Sequence, residues 1–343
     1  MGSAGFSAGS SNYTTSLFFD NGTPEVAYSH VAGNGYHYNM ANVMKYNAAG
    51  NTWEVVGNTD FSAEQAIYIS LFIDNGTPYV AYRDGSYSNK ATVMKYNAAG
   101  NTWEVVGNIG FSAGEVWSPS LFFDNGTPEV AYKDGGHSNK ATVMKYNGSA
   151  WEVVGSAGFS VGQADYLSLK IYSGTPYVAY KDGGNGNKAT VMKYNGSAWE
   201  IVGIAGFSAG TAEYSSLYIY NGTPEVAYKD GSNSNKATVM KYDASGDTWE
   251  VIGSAGFSSG TAEYTSLYIS SEGTPYVAYQ DGSNLKKATV MKYNGTNWVS
   301  VGSAGSSDGQ VDYLSLYVYN GIPYVAYMDN SNSDKVTVMK YVP

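Results

Sequence analysis

The sequence predicts an all-β protein, a seven-bladed β-propeller built from four-stranded antiparallel blades. Three observations lead to this prediction. A unit of about 49 residues returns seven times along the 343-residue chain. Each of the first six units contains four short runs rich in Val, Ile, Tyr and Thr, the residues favoured in strands, and the seventh contains three. Turn residues separate the runs, and no unit leaves room for a helix.

A Ser-Leu pair anchors every unit and fixes its boundaries. The leucines of the pairs are Leu17, Leu71, Leu121, Leu169, Leu217, Leu267 and Leu316. We therefore expect a single domain over residues 1–343, because each unit is too small to bury a core alone. Its units span approximately 11–58, 66–108, 115–156, 164–204, 212–254, 262–303 and 311–343.

The fourth unit shows the four strands in order. They are "YLSLKIY" at 166–172, "PYVAY" at 176–180, "ATVMKYN" at 189–195 and "WEIVG" at 199–203. The first connection reads "SGTP" here and "DNGTP" elsewhere, and the third reads "NGSA", so both are hairpin turns. Both faces of the first strand are largely apolar, as expected for sheets that stack on neighbours.

The third and fourth strands form a hairpin with a predictable register. If Tyr194 faces Trp199, then Lys193 faces Glu200 as a cross-strand pair of opposite charges. The tryptophan is expected in the core rather than on a ligand-binding surface.

This hairpin carries a family resemblance. The string "YNAAGNTWEVVG" at 46–57 resembles the last two strands of a kelch repeat, where a tyrosine and "NTW" have similar spacing. The resemblance covers about a quarter of each unit and implies a propeller fold. The chain departs from the kelch pattern after the second strand, where it reads "VAYKDGG" or "VAYRDGS" instead of a double glycine, so no kelch activity is implied.

The seventh unit stops before its tryptophan, at "DKVTVMKYVP". We hypothesise that "WEVVG"-like residues precede the present start in the natural chain and that blade seven has three strands. Residues 337–341 are then expected to form an unpaired edge, where a second copy can add a strand.

Composition limits the function. The net charge is −10 with only 19 Lys and Arg residues, which argues against a nucleic-acid partner. Without cysteine there is no thiolate metal site, and we expect no cofactor apart from a cation at the channel mouth. No apolar run is long enough for a membrane helix, and "MGSAGFSAG" is not a secretory leader. We nevertheless expect an extracellular or cell-surface protein.

Candidate site residues lie in the longer loops, which follow strands two and four on one face. Asp165, Glu213, Glu263 and Asp312 lie just before the first strand in four successive blades. They are expected to form an acidic arc at the channel mouth, where they attract a cation or a polyhydroxyl ligand, or simply to be solvated strand starts. A recurrent aspartate before glycine in the second loop is expected to form turns; it is Asp84, Asp134, Asp182, Asp230, Asp281 and Asp329.

The first unit deviates in its loop "SHVAGNGYHYNM", which carries His30, Tyr36 and His37. Two histidines without a third ligand are a weak metal signal. Together with Trp117 on the same face, the aromatic residues indicate a sugar-binding surface.

These features favour a non-catalytic binding or scaffold protein with a carbohydrate or protein ligand near the channel. The alternative is self-assembly through the incomplete blade, and a glycoside-acting enzyme is the weaker third hypothesis. Arg83 is the only arginine, which disfavours sialidase-like chemistry. We therefore predict that the protein is not an enzyme.

Overall fold

The computed structural model describes residues 1–31 and 39–341, which form seven antiparallel sheets around a central channel. The strands of the first four sheets are β1 (Ser11–Asp20), β2 (Thr23–Val31), β3 (Asn39–Asn47), β4 (Thr52–Val55), β5 (Ala66–Asp74), β6 (Thr77–Asp84), β7 (Lys90–Asn97), β8 (Thr102–Val105), β9 (Val116–Asp124), β10 (Thr127–Asp134), β11 (Lys140–Tyr146), β12 (Trp151–Val153), β13 (Ala164–Tyr172), β14 (Thr175–Asp182), β15 (Lys188–Tyr194) and β16 (Trp199–Ile201). Those of the last three sheets are β17 (Ala212–Tyr220), β18 (Thr223–Asp230), β19 (Lys236–Asp243), β20 (Thr248–Val251), β21 (Ala262–Ile269), β22 (Pro275–Asp281), β23 (Lys287–Tyr293), β24 (Trp298–Ser300), β25 (Val311–Tyr319), β26 (Ile322–Asp329) and β27 (Lys335–Lys340).

The predicted fold is confirmed. Each sheet is a meander whose strands follow one another in sequence order. Six sheets have four strands, and the last has three in the described part of the chain. The first strand of every blade lines the channel, so each unit supplies one wall of a closed ring.

Neighbouring blades pack a bulky face against a small-residue face. In blade three, Val130 and Tyr132 point toward blade two, where they meet Ala81 and Ala91. Ala131, between them in the chain, points to the other side and packs against blade four. The "VAY" motif therefore alternates large and small side chains rather than apolar and polar ones. This explains why the strands lack ordinary amphipathic alternation.

The outer hairpin has the predicted register. Lys193 faces Glu200 and Tyr194 faces Trp199 across β15 and β16. Two-residue alternation places the charged pair and the aromatic pair on opposite faces of the hairpin. Lys193 and Glu200 therefore form a cross-strand pair on the surface of the hairpin, as predicted.

The repeated tryptophan is a core residue that links consecutive blades. Trp151 is 8% exposed, and its indole N–H donates to the Val106 carbonyl at 2.8 Å. Its ring stacks on Phe111 with a centroid distance of 4.2 Å. Val106 and Phe111 both belong to the linker between blades two and three. Each fourth strand therefore fastens the linker from the preceding blade.

The recurrent aspartate is confirmed as a turn-former. Asp84 accepts hydrogen bonds from the Ser86 N–H (3.1 Å) and the Thr92 hydroxyl (2.8 Å). The buried carboxylate thus caps a short 3-10 turn and ties it to the next strand. Turns of this kind span Gly85–Tyr87, Gly135–His137, Gly183–Asn185, Gly231–Asn233 and Asn330–Asn332.

The start of the chain packs against the last blade, which corrects the predicted free edge over 337–341. The Met1 ammonium donates to the Val338 carbonyl at 2.9 Å, and the Gly5 N–H donates to the Thr337 hydroxyl at 2.8 Å. Phe6 stacks on Trp53 at 4.4 Å, as the phenylalanines of five other linkers stack on their tryptophans. The first residues of that edge are therefore occupied by the linker of this same chain.

The connections after strands two and four lie together on one face, as predicted. The Gly85 N–H donates to the Gln65 carbonyl at 2.8 Å, and the Gly135 N–H donates to the Glu115 carbonyl at 2.9 Å. Each bond joins the linker that leads into a blade to the loop after the second strand of that blade. Within the described residues, no helix combines the length and hydropathy needed to cross a bilayer.

Candidate functional site

A bulge opens the first strand of each blade where it reaches the channel mouth. In β13, Asp165 pairs with Lys181 and Ser168 pairs with Ala179. The pairing advances three residues along β13 but only two along β14, so β13 contains one extra residue. The extra residue, Tyr166, has the left-handed backbone angle φ 54°. A bulge of this kind re-aims a side chain at the rim of a sheet.

The bulge residue in the left-handed conformation is a tyrosine in six blades, with φ between 51° and 72°. A non-glycine residue in this region costs roughly 1 kcal/mol, and glycine or asparagine would fit with less strain. Six blades therefore have a tyrosine at this position despite the backbone strain. The six residues are Tyr13, Tyr68, Tyr166, Tyr214, Tyr264 and Tyr313.

Side chains of this tyrosine rim contact one another around the mouth. Ring centroids are 4.8 Å apart for Tyr166 and Tyr214, 4.9 Å for Tyr214 and Tyr264, and 5.0 Å for Tyr264 and Tyr313. The rings are tilted relative to each other and only half-buried. They form a continuous aromatic surface over blades four to seven.

The predicted acidic residues lie beside this rim, but lysines from strand two pair with them. Lys133 approaches Asp165 at 2.8 Å, a contact between neighbouring blades. Lys229 lies 3.1 Å from Glu213 and 3.1 Å from Glu263, so one ammonium bridges two carboxylates. Burial lowers the pKa of Lys229, but its bonds to both glutamates outweigh burial and raise the pKa overall. From Lys133 to Glu263, the predicted acidic arc is therefore an arc in which carboxylates alternate with lysine ammonium groups.

Asp312 is held by amides instead of a lysine. The Gln280 amide donates to it at 2.7 Å, while Gln310 and Asn330 each donate at 3.3 Å. Among the described residues, no group of three or more potential metal-ligating side chains is present. The geometry at the mouth therefore does not favour the cation that the acidic sequence positions suggested.

Blade three interrupts the tyrosine rim. Ser118 takes the place of tyrosine, and Trp117 takes the place of the acidic residue. Arg83 and Lys133 lie over the indole ring, at 5.3 Å and 5.0 Å from its centroid. Arg83 also pairs with Glu115 at 3.2 Å. The mouth thus has one sector of different chemistry, with an indole between cations.

Of the three candidate residues in the first-blade loop, only His30 lies in the described part of the chain. Tyr36 and His37 lie outside the described residues. His30 is buried, with Nδ1 3.2 Å from the Asn42 side chain and Nε2 3.4 Å from Asp60. Burial lowers the pKa of His30, although Asp60 opposes this effect. These contacts are those of a packed core histidine.

Sequence reasoning missed the tyrosine rim and the residues deeper in the channel. The tyrosines recur at one repeat position, directly after the acidic one, and that recurrence was a usable signal. Below the rim, a cavity of about 370 Å³ is lined by the seven first strands. Lys170 stands in this lining at a position that is aromatic in the other blades.

The chain was compared with known proteins. No protein-family model matches the sequence, so no family match supports the kelch resemblance. No curated protein matches it either. A solved Penicillium chrysogenum α-L-arabinanase, complexed with arabinobiose, aligns over 96% of this chain and 92% of its own, with TM-score 0.53 and 12% identity. The SapL1 lectin, in complex with α-methyl fucoside, aligns over 86% of this chain and 97% of its own, with TM-score 0.56 and 14% identity.

At these identities the likeness shows the fold alone. It still corrects one prediction: the sequence-based exclusion of an enzyme is wrong, because an arabinanase is among the proteins with this architecture. The similar proteins include an enzyme and a lectin, and they do not favour the self-assembly alternative.

Proposed function

We propose that the protein binds carbohydrate at the channel mouth, across the tyrosine rim. The observation that carries the proposal is the strained, repeated phenol, since a solvent-facing ring kept at energetic cost points to a role for its side chain. The two similar structures are described with bound sugars, arabinobiose and α-methyl fucoside, which supports the same ligand class.

The rim offers the two kinds of contact that a sugar requires. Its aromatic rings present apolar faces to the C–H groups of a pyranose or furanose. Beside them, carboxylates alternate with ammonium groups, such as Glu213, Lys229 and Glu263. Adjacent acceptors and donors suit vicinal hydroxyls. The ion pairs already restrict these side chains, so little additional side-chain entropy is lost on binding.

The proposed contact residues are Asp165, Glu213, Glu263 and Asp312 beside the tyrosines of blades four to seven, with Trp117 at the interrupted sector. Tyr36 and His37 remain sequence-based candidates. The aromatic surface crosses four blades, and this extent favours an oligosaccharide over a single sugar. A protein ligand on the same face is the alternative within this proposal.

A second function, glycoside hydrolysis, rests on one further observation. Because Lys229 contacts both glutamates at 3.1 Å, the contacting oxygens of Glu213 and Glu263 lie no farther apart than twice that distance. Paired carboxylates roughly 5 to 10 Å apart perform glycoside cleavage. Binding and hydrolysis therefore share residues and are measured on the same protein.

The test is a glycan array followed by titration calorimetry on the best ligand. We expect the triple variant Tyr166→Ser/Tyr214→Ser/Tyr264→Ser to weaken Kd at least tenfold, which is about 1.4 kcal/mol. Serine is the residue that blade three itself uses at this position, so the fold should persist. Tyr172→Ser, at the other end of β13, is the matched control and should bind normally.

The proposal fails if the native protein binds no glycan, or if the triple variant binds as tightly as the native protein. Release of reducing ends from arabinan and other polysaccharides measures the second function. Loss of this release in Glu213→Gln and Glu263→Gln, well beyond any weakening of glycan binding, would assign catalysis to this pair. Unchanged release in both variants would exclude the pair as the catalytic groups.

We further propose an extracellular or cell-surface location, where carbohydrate polymers are accessible to such a rim. Fractionation of the producing cells with an antibody against the protein tests this proposal, and detection only in the cytosol would contradict it.

A further inference from the structure

A closed ring of serine side chains surrounds the channel below the tyrosine rim. Each serine accepts a hydrogen bond from the leucine N–H of the next blade, as when the Leu71 N–H donates to Ser16 Oγ at 2.9 Å. The Leu17 N–H donates to Ser315 Oγ at 3.1 Å, which joins the last blade to the first. The serines are Ser16, Ser70, Ser120, Ser168, Ser216, Ser266 and Ser315.

This ring presents hydrogen-bond donors to the channel. A hydroxyl that accepts from a backbone N–H keeps its own proton for a second bond. Among the described residues, none of the seven serine hydroxyls donates to a protein acceptor, although all are partly exposed to the channel. A ligand in the channel therefore meets convergent O–H donors.

Two residues farther along each first strand lies a second ring, which is aromatic in all blades but one. Its members are Phe18, Phe72, Phe122, Lys170, Tyr218, Tyr268 and Tyr317. Lys170 is thus the single charged side chain among them. Its Nζ lies 5.0 Å from the centroid of the Phe122 ring.

Lys170 forms no ion pair with any described residue. The lysines at the tyrosine rim and several in the outer hairpins do have carboxylate partners, for example Lys133 with Asp165 at 2.8 Å. The titratable groups opposite Lys170 and in the channel wall are phenols: Tyr177 faces it in register, and Tyr218, Tyr268 and Tyr317 share the wall. Two carboxyls lie one strand farther from the channel in the neighbouring blades, Glu129 opposite Phe122 and Glu225 opposite Tyr218. Burial raises the pKa values of Tyr177, Tyr218 and Tyr268, so these phenols are uncharged near neutral pH.

We propose that the central channel binds a small monovalent anion beside Lys170, with serine and tyrosine hydroxyls as further donors. A desolvated charge is stable only when it is paired and hydrogen-bonded, and the described channel lining supplies the cation and the donors but no carboxylate. The site is distinct from the carbohydrate surface at the mouth and does not depend on it.

The chemistry of the wall selects the class of anion. One lysine balances one negative charge, and a divalent anion would remain half-compensated in a wall of phenyl rings and leucines. Weakly hydrated halides and nitrate lose less on leaving water than sulfate or phosphate. The cavity of about 370 Å³ accommodates such an ion together with water.

Anion binding should depend on pH in a defined direction. Burial lowers the pKa of Lys170 to about 8, and a neighbouring anion opposes this shift. By linkage, the anion binds the ammonium form better, so its affinity is full below pH 8 and decreases above it. Burial raises the pKa values of Tyr177, Tyr218 and Tyr268, so these three phenols stay protonated through this range.

The experiment is crystallography with anomalous scattering after transfer into sodium bromide, on the native protein and on Lys170→Phe. Phenylalanine is the residue of the preceding blade at this position, so the variant has a matched packing partner. We expect a bromide peak in the channel beside Lys170 Nζ in the native protein and none there in the variant. No channel peak in the native protein, or an equal peak in the variant, overturns the proposal.

A solution measurement covers the case in which the variant does not crystallise. Thermal midpoints are recorded in bromide and in gluconate at equal ionic strength, at pH 7 and pH 9.5. We expect bromide to raise the native midpoint at pH 7, with a smaller rise at pH 9.5 and no rise in Lys170→Phe. The same bromide effect in both proteins contradicts the site. Glycan binding should be unchanged in the variant.

Discussion

Two buried glutamates show how a single residue position can set the pH response. Glu129 and Glu225 sit in strand two, where four other blades have tyrosine. Each is nearly inaccessible, and each has one carboxylate oxygen without a hydrogen-bond partner in the described structure. Burial raises the pKa of both groups to about 7, and the nearby Lys145 and Lys241 only partly offset it.

These shifts predict that the protein loses stability as pH rises from about 4.5 to 7. In that window the folded carboxyls keep protons that the unfolded chain releases, so the free energy of unfolding falls with pH. A shift of this size corresponds to about 3 kcal/mol per residue. The Glu129→Gln/Glu225→Gln variant should therefore be more stable than the native protein at pH 8 and show a flatter profile. Urea denaturation at pH 5 and pH 8 measures this.

The control is Glu152→Gln, a change at an exposed carboxylate of the outer hairpin in blade three. It should leave the pH profile unchanged. An equal loss of stability between pH 5 and pH 8 in the native protein and the double variant would contradict the assignment.

At the scale of the element, the outer hairpin connects its blade to the linker from the preceding blade. Its tryptophan combines stacking on a linker phenylalanine with a hydrogen bond to a linker carbonyl, as Trp151 does with Phe111 and Val106. Blade seven lacks this contact among the described residues. There Ser306 stands where other linkers have phenylalanine, and it donates to the Tyr341 hydroxyl at 2.7 Å. The buried Tyr341 ring packs in the space between blades six and seven.

Truncating one of these tryptophans should lower the stability of the propeller measurably. We expect Trp151→Ala to reduce the free energy of unfolding by about 3 to 5 kcal/mol, through lost burial and the cavity left behind. Trp151→Phe keeps a ring but loses the N–H donor, so it should cost less. Chemical denaturation compares the two. Equal destabilisation by both would show that stacking contributes little.

At the scale of the whole molecule, the start of the chain closes the ring between blades one and seven. Phe6 donates its N–H to the Val336 carbonyl at 3.0 Å, and its ring lies on Trp53. Deleting residues 1–7 removes both contacts and leaves part of the β27 edge bare. We expect a lower thermal midpoint and concentration-dependent association through that edge.

Differential scanning fluorimetry and light scattering test this prediction. Phe6→Ala separates the two effects of the deletion. The substitution removes the stack on Trp53 but keeps the backbone of residues 1–7 along the β27 edge. It should lower the midpoint without promoting association. An unchanged midpoint in the deletion variant would show that the ring closes without this segment.

The sequence was sufficient for the blade count, the hairpin register and the core tryptophans, because each depends on a pattern that repeats locally. The pairing of the acidic residues could not be predicted in the same way. Lys133 and Asp165 are 32 positions apart and come from different blades. The aromatic rim depends on a bulge that turns Tyr166 toward Tyr214, and a one-residue offset of this kind is not visible in strand periodicity. Lys170 was detectable as the exception in an aligned aromatic position.

The serine ring has a consequence for chain connectivity. The bond between Leu17 and Ser315 is made by non-neighbouring parts of the chain, yet it has the same chemistry as the bonds between successive blades. The hydrogen bonds at the centre of the molecule are therefore the same whether or not the chain connects the two blades directly. Circular permutants, with the present ends joined and a new opening in any inter-blade linker, should assemble the same central ring.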